Sequence, residues 1–368
     1  MKANGFSNAV RLDGRQWAGV AAFALAMLAF TPALWCRFER FDPGPDYRIP
    51  YDLSNDYWLY DRYSRLAAAR HETLLIGDSV VWGQYVTPDQ TLSHALNALS
   101  GTERFANLGL DGAHPAALAG LLEHYAGGVQ GKRVLLQCNP LWLSSPRHDL
   151  REHEEFQFNH PRLVPQFRPR IPCYKEAISP RIGVLVEQRV PFLSWANHLQ
   201  QAYFDRIDIP SWTLEHPYDD PLLPIRHGLP PPDRVLRHEP VPWTERGITR
   251  QDFPWVDLQT SLQWSSFLRA IDILQGRGNT VVVLVGPFNE HMLTDASLER
   301  YRKVKSDIED RLRARGVAFL APPALTSAQY GDASHPLEAG YATLARQLLP
   351  QFQRIAPAPH VVRAAAGD

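Results

Sequence analysis

The sequence predicts an α/β fold: a doubly wound, flavodoxin-like α/β/α domain of three layers with a long insertion, preceded by an N-terminal transmembrane helix. The first observation is that short apolar segments alternate with longer amphipathic ones on both sides of the insertion. The second is that the short segments, such as TVVVLV at 280–285, are apolar almost throughout, as parallel strands covered on both faces are. The third is an uncharged run over 17–35.

Composition narrows the classes of function. The 368 residues carry a formal net charge of −1 and no basic block, so a nucleic-acid partner is not expected. There are three cysteines, Cys36, Cys138 and Cys173. A number this small and odd does not indicate a disulfide framework. A single bridge from Cys138 to Cys173 stays open, although buried or free thiols are favoured.

The uncharged N-terminal run predicts a membrane anchor over 16–36. Its length suits a hydrocarbon core of about 30 Å, and tryptophans at both of its ends suit the two membrane interfaces. Basic residues within 1–15 favour a cytoplasmic N-terminus and an extracytoplasmic, periplasmic body. A cleaved signal peptide is the alternative, but the run is long for one and no small-x-small site follows closely.

The rest of the chain divides into a linker, the α/β domain and a tail. Residues 37–57, rich in Pro, Asp and Tyr, predict a juxtamembrane linker, and the domain is expected over 58–355 with a frayed tail at 356–368. Strands are predicted within 72–77, 104–109, 132–139, 279–288 and 317–322. Helices are predicted within 57–71, 88–99, 114–128, 261–278, 297–316 and 335–352.

The insertion, residues 144–257, is rich in Pro, His, Trp and Arg. A structureless loop of this length would be unusual, so we expect it to contain helices and to pack over the core, for example as a lid. It includes RHDLREHEEFQFNH, with His148, His153 and His160 among acidic residues. Their spacing fits no standard metal-ligand motif, so a solvated helix face is favoured and no metal is predicted.

A serine follows the first predicted strand in LLIGDSVVWG, where Gly77 and Asp78 precede Ser79. Functional groups of a parallel sheet gather at the carboxyl ends of its strands. A helix beginning here would direct backbone N–H groups at a developing negative charge. Two interpretations are open at this point: Ser79 is a nucleophile, or it is a turn serine that caps the helix.

A serine nucleophile needs a base, and the C-terminal segment GDASHPLEAGY offers one. Asp332 and His335 lie three residues apart, so one loop can carry the imidazole and the carboxylate that orients it. The alternative is that Asp332 or Ser334 caps the last helix. Asp111 and His114 have the same spacing, but the C-terminal pair is preferred because it follows the last strand.

Acyl transfer also needs donors for an oxyanion. The N–H of Gly112 or Gly109 follows the second strand, and the Asn139 amide follows the third. Ordinary turns would explain both segments equally well. Asp78 and Asn289 are candidates for a substrate pocket, and His291 follows in the same segment GPFNEH. For Asn289 and His291 a polar turn is the favoured alternative.

The order of these segments resembles that of the SGNH (GDSL-like) hydrolase superfamily. Gly77 to Ser79 match its first block, Asn107 to Gly112 its second, and Asp332 with His335 its last. The third block, Gly-x-Asn-Asp, is missing, and CNPLWLSS stands in its place. An anchored chain with NPLW at this place is similar to the membrane-anchored D-alanyl-transfer protein of teichoic acid synthesis. It is also similar to the extracytoplasmic proteins of alginate O-acetylation. The resemblance covers 74–140 and 265–352.

The resemblance implies a serine esterase or O-acyltransferase that acts on an ester of a cell-envelope glycan or polymer. Ser79 would be the nucleophile, His335 the base and Asp332 its orienting partner, with Gly112 and Asn139 as oxyanion donors. It implies no cofactor, and a membrane-bound O-acyltransferase as a partner. The alternative is a catalytically inactive scaffold that binds a glycan or such a partner, which a long distance between Ser79 and His335 would favour.

Overall fold

The computed structural model describes residues 12–220, 222–225, 228–229 and 235–356. The chain forms two compact units, one of residues 1–41 with 186–229 and one of residues 42–185 with 230–368. The predicted insertion is therefore corrected: its middle part belongs with the N-terminal helix, because those two segments pack together. The predicted tail lies, except for Ala356, outside the described residues.

The α/β unit contains a five-stranded sheet in which all neighbouring strands are parallel. Its strands are β1 (Thr73–Gly77), β2 (Phe105–Gly109), β3 (Arg133–Cys138), β4 (Thr280–Val285) and β5 (Ala318–Leu320). The order β2-β1-β3-β4-β5 is that of doubly wound sheets. The α/β class and the parallel sheet are therefore confirmed, with one strand in each predicted segment.

The described chain has eleven α-helices, numbered in chain order. They are α1 (Gly14–Phe38), α2 (Tyr57–Arg70), α3 (Ser79–Trp82), α4 (Leu92–Ser100), α5 (Pro115–Tyr125), α6 (Ile178–Glu187), α7 (Pro191–Tyr203), α8 (Ile209–Glu215), α9 (Leu262–Gly276), α10 (Asp295–Ala314) and α11 (Glu338–Ile355). The helix predicted within 88–99 begins with a separate 3-10 turn, Pro88–Gln90, before α4. Helix α5 packs against both α2 and α9, and α4 packs against α11.

The first part of the insertion packs on the α/β unit. Leu150, Val164, Ile171 and Cys173 are buried together with Ala116 of α5. Cys173 and Cys138 are both free thiols, so the open possibility of a bridge between them is not realised.

The predicted linker, 37–57, is only partly a linker. Helix α1 continues to Phe38, and residues 47–50 are buried in the α/β unit. There the Arg48 guanidinium stacks 3.8 Å from the Trp82 ring centre and donates to the Trp82 carbonyl at 2.9 Å. The Trp82 indole donates to the Ile49 carbonyl at 2.7 Å, so this part of the chain fixes α3.

The N-terminal unit is built on α1, which is long and apolar enough to cross a membrane. The Asp13 carboxylate and the Gln16 side chain cap its first turn reciprocally. Helices α7 and α8 belong to the same unit, and α7 packs against α1.

Candidate active site

The turn after β1 holds Ser79 at the start of α3. The Asp78 carboxylate accepts a hydrogen bond from the Val80 N–H at 2.9 Å and so caps this short helix. Gly109 lies beside Gly77 in the sheet, and a Cβ at Gly109 would lie 2.3 Å from the Trp82 nitrogen. The end of β2 and α3 therefore touch through their backbones, and a side chain at Gly109 would separate them.

Three side chains form a continuous hydrogen-bonded chain at the carboxyl edge of the sheet. Ser79 Oγ lies 2.7 Å from His335 Nε2, and His335 Nδ1 lies 2.8 Å from both carboxylate oxygens of Asp332. Because a carboxylate only accepts, Nδ1 carries the proton and Nε2 is left to accept the Ser79 hydroxyl proton. The structure thus brings together the three residues that the sequence singled out as nucleophile, base and orienting acid.

The loop that carries Asp332 and His335 is held from several sides. One Asp332 oxygen accepts from the backbone N–H groups of Ser334 and His335, both at 3.0 Å. The Asn289 amide donates to the Asp332 carbonyl at 3.0 Å. The N-cap of α11 is Leu337, without a side-chain hydrogen bond, so neither Asp332 nor Ser334 caps that helix.

The charges of this pair stabilise each other. Burial acts to raise the pKa of Asp332, but the adjacent His335 and the backbone donors lower it well below its usual range. Burial acts to lower the pKa of His335, but Asp332, Asp78 and Asp111 raise it overall. The arrangement makes His335 a stronger base and stabilises the imidazolium that forms when it takes a proton.

Tyr85 and Arg246 also contact the Asp332 loop, and sequence reasoning missed both. The Tyr85 hydroxyl donates to Asp332 Oδ2 at 3.1 Å, and its ring meets the His335 ring edge-on at 5.8 Å between centres. The Arg246 guanidinium donates to the Tyr85 hydroxyl and, at 3.2 Å, to the Gly331 carbonyl. No local motif marks either residue, because both reach the loop from distant parts of the chain.

Asp78 is a buried organising group rather than part of an open substrate pocket. Its Oδ2 accepts from the Asn139 amide at 2.8 Å and from the Trp142 indole at 2.7 Å. Asn139 also accepts from the Leu141 N–H at 3.0 Å, and both Asp78 and Asn139 are buried. The predicted pocket role of Asp78 and oxyanion role of Asn139 are therefore corrected: these side chains bind each other and tie β3 to the nucleophile turn.

Two backbone donors fit an oxyanion better. Within the described ranges, neither the Ser79 nor the Gly112 N–H donates to a protein acceptor, whereas the Gly109 N–H donates to the Asn107 side chain at 2.9 Å. Gly112 has a φ of +69°, which favours glycine. A Cβ there would lie 2.2 Å from Asn159 Nδ2, so the insertion brings a side-chain amide next to Gly112.

The alternative relay, Asp111 with His114, is not formed, because both ring nitrogens of His114 have other partners. The buried His114 ring accepts from the Ala117 N–H at 3.3 Å and so caps α5. Its other nitrogen donates to the Asn159 carbonyl at 3.1 Å. Burial lowers the pKa of His114 to about 3, which suits a neutral, structural imidazole.

The histidines of the insertion do not form a helix face as expected. Residues 148–160 are irregular, and His148 and His160 are tied to Ser144 and Tyr57 at 2.7 and 3.0 Å. In the described part of the chain, no group of three His, Cys, Asp or Glu side chains is arranged to hold a metal ion.

The residues predicted after β4 hold the neighbouring loops. Asn289 is fully buried beneath the Asp332 loop, so its predicted place in a substrate pocket is corrected. His291 donates to the Leu325 carbonyl at 3.0 Å. A cavity of about 710 Å³ lies between residues 254–259 and α10, and Ser79, His335 and Asp332 are not among the residues that line it.

No known protein-family model matches this chain, and no curated protein matches its sequence. Its chemistry is therefore argued from the site. A serine hydroxyl that is hydrogen-bonded to a neutral imidazole can be activated for attack on an acyl carbon, provided that the imidazole is itself hydrogen-bonded to a carboxylate.

The pKa of His335 predicts a pH dependence. A His335 that acts as base for Ser79 must be neutral, so the rate at which a test ester acylates Ser79 should rise with pH through the raised pKa of His335. Asp332→Asn removes the nearest raising charge, so the acid limb of kcat/KM should move to lower pH while the maximal rate falls about 10²- to 10⁴-fold. Asp310→Asn, at an exposed carboxylate on α10, is the control and should change neither. An acid limb that stays in place would assign the titration to another group.

Tyr85→Phe should lower the maximal rate about three- to tenfold, because one hydrogen bond to Asp332 is lost while the ring remains. The KM should stay unchanged, since Tyr85 acts through Asp332. Steady-state kinetics on a chromogenic ester measure both. Tyr63→Phe removes another buried hydroxyl, one that donates to the Tyr47 carbonyl, and should keep the full rate. Equal losses in both variants would mean that the effect is one of stability alone.

Proposed function

We propose that this protein is an SGNH-type serine enzyme that cleaves an ester through an acyl-serine intermediate. The observation that carries the proposal is the unbroken chain from Ser79 Oγ through the His335 ring to Asp332, at 2.7 and 2.8 Å. A scaffold without catalytic activity would not need it. A histidine and a carboxylate taken largely out of water are costly unless their geometry and hydrogen bonds are good, and the hydrogen bonds of this pair meet that condition.

In the first half of the reaction, the Ser79 oxygen attacks the ester carbonyl while His335 Nε2 takes the hydroxyl proton. The oxyanion that forms accepts hydrogen bonds from the Ser79 and Gly112 N–H groups. When the intermediate collapses, the bond to the leaving alcohol breaks and His335 returns the proton to its oxygen. The acyl group is then bonded to Ser79, and Asp332 keeps His335 in the required tautomer throughout.

In the second half, an acceptor hydroxyl gives its proton to His335 and attacks the acyl carbon. Water as the acceptor gives an esterase, and a glycan hydroxyl gives an O-acyltransferase. In both cases His335 then returns the proton to the Ser79 oxygen, and the free serine is restored.

Membership of the SGNH superfamily is supported by the roles of its block residues here. Asn107 receives the Gly109 N–H and donates to the Val81 carbonyl at 2.8 Å, so the second block fixes the nucleophile turn. In place of the missing third block, Asn139 and Trp142 hold Asp78. The same replacement supports a relation to the membrane-anchored proteins of envelope-polymer acylation.

We further propose that the enzyme is a single-pass membrane protein whose catalytic domain is extracytoplasmic, in the periplasm. An apolar helix long enough to span supports this. The last turn of α1 is packed against α7, which supports retention of the helix rather than its cleavage as a signal peptide. The substrate would be an ester of a cell-envelope glycan or polymer, and the partner a membrane-bound O-acyltransferase.

The full-length protein in detergent, mixed with p-nitrophenyl acetate, tests this function. We expect nitrophenolate release and a transient gain of one acetyl group, which peptide mass spectrometry assigns to Ser79. Ser79→Ala should lose both signals, and His335→Ala should slow acetylation about 10³- to 10⁶-fold. Ser265→Ala, at an exposed serine of α9 whose hydroxyl donates to the Leu262 carbonyl, should behave as wild type.

The same assay distinguishes the two acceptors. Added oligosaccharides that gain acetyl esters at the expense of free acetate would indicate transfer, and free acetate alone would indicate hydrolysis. A folded wild type that releases nitrophenolate no faster than Ser79→Ala would contradict the proposal.

A further inference from the structure

The end of α1 is built into a buried polar cluster of the N-terminal unit. Glu39, directly after the helix, accepts hydrogen bonds from His198 at 2.8 Å, Tyr203 at 2.5 Å and the Trp35 indole at 3.1 Å. The side chains of Glu39 and His198 are both 0% exposed. A carboxylate is stable at such burial only when it is well hydrogen-bonded, so this cluster fixes α7 to the end of α1.

The length of α1 locates that cluster at a membrane interface. From Trp17 to Trp35 an α-helix rises about 27 Å, close to the hydrocarbon thickness of about 30 Å. Trp35 therefore lies where the apolar span ends. Its ring meets those of Trp195 and Tyr203 edge-on, at 5.8 and 6.4 Å between centres, and such aromatic groups are typical of membrane interfaces.

The described residues from α8 to 229 contact the same end of α1. Trp212 and Ile225 belong to the hydrophobic cluster that also includes Trp35, and Gly228 pairs with Arg40 in an isolated β-bridge. Yet several large side chains of this segment are exposed over 70% to 99% of their surface. They are Leu214, Tyr218, Leu222 and Leu223. Single exposed apolar residues are common, but a group within ten residues of sequence marks an interaction surface.

We propose that residues 186–229 form a juxtamembrane collar that lies on the bilayer surface, with the exposed side chains of 214–223 in contact with phospholipid. The proposal rests on the membrane-anchoring part of the proposed function. Lipid is the occupant that the structure favours, because the segment is continuous, through the Trp35 cluster, with the end of the membrane-spanning helix. The middle of the insertion would thus have a task separate from catalysis.

Site-specific fluorescence on the full-length chain in phospholipid vesicles tests the collar. In a Cys36→Ser background, where the remaining Cys138 and Cys173 are buried, Leu214→Cys and Leu223→Cys each carry an environment-sensitive dye. Lipids with a quencher near the headgroup boundary report contact of positions 214 and 223 with the bilayer surface, and lipids with a quencher at the end of the acyl chain report a dye in the bilayer centre. A dye at Leu25→Cys reports the span of α1, and one at Leu99→Cys, an exposed leucine of α4, reports non-specific adsorption.

We expect the dyes at 214 and 223 to be quenched by lipid at least about threefold more than the dye at 99. His198→Ala, which removes a donor to Glu39, should lower quenching at 214 and 223 and leave it unchanged at 25. Quenching at 25 with none above the Leu99 control at 214 and 223 would overturn the collar while the anchor stands. A dye at 25 that is not quenched would overturn both.

Discussion

The hydrogen bonds of the Asp332 carboxylate are the interactions on which the rest of the site depends. Its two oxygens orient His335, and they are themselves held by two backbone N–H groups and the Tyr85 hydroxyl. The Asp332 side chain is only 24% exposed, so its charge would be costly without those donors. With them, it fixes the tautomer that leaves His335 Nε2 facing the Ser79 hydroxyl.

The Asp78 carboxylate, which is buried, has the corresponding task on the Ser79 side. It caps α3 and receives the Asn139 and Trp142 side chains from the end of β3. The Tyr341 hydroxyl of α11 donates to the Val80 carbonyl at 2.6 Å, so the C-terminal helix also holds this turn. The position of Ser79 is thus determined by β1, β3 and α11 together, which limits how far its hydroxyl can move from His335.

Sequence patterns were sufficient to predict the sheet and the three residues of the central chain. Strand segments stand out because both faces of a parallel sheet are apolar, and Ser79 and the Asp332–His335 pair follow strands directly. The partners of Asn139 and Asn289 could not be predicted, because an amide after a strand fits an oxyanion donor and a structural hydrogen bond equally well. The roles of Tyr85 and Arg246 could not be predicted for another reason. Their contacts with the Asp332 loop form only when distant segments of the chain come together in the fold.

The arrangement of the insertion could not be predicted, because its apolar residues show no regular spacing in the sequence. Its first part packs on α5, while 186–229 belongs with α1. The buried Glu39–His198 pair, whose residues lie 159 positions apart in sequence, is one of the contacts that connect 186–229 to the end of α1. Contacts between such distant parts of the chain cannot be predicted from the sequence of the segment itself.

The central claim is that Ser79 is an activated nucleophile, and labelling with a fluorophosphonate tests it most directly. The probe reacts rapidly with a serine oxygen that a neighbouring base makes nucleophilic, and far more slowly with an ordinary hydroxyl. The account predicts rapid labelling of the folded full-length protein at Ser79, and none in Ser79→Ala or His335→Ala. A folded wild type that stays unlabelled, or labelling that persists in Ser79→Ala, would contradict it.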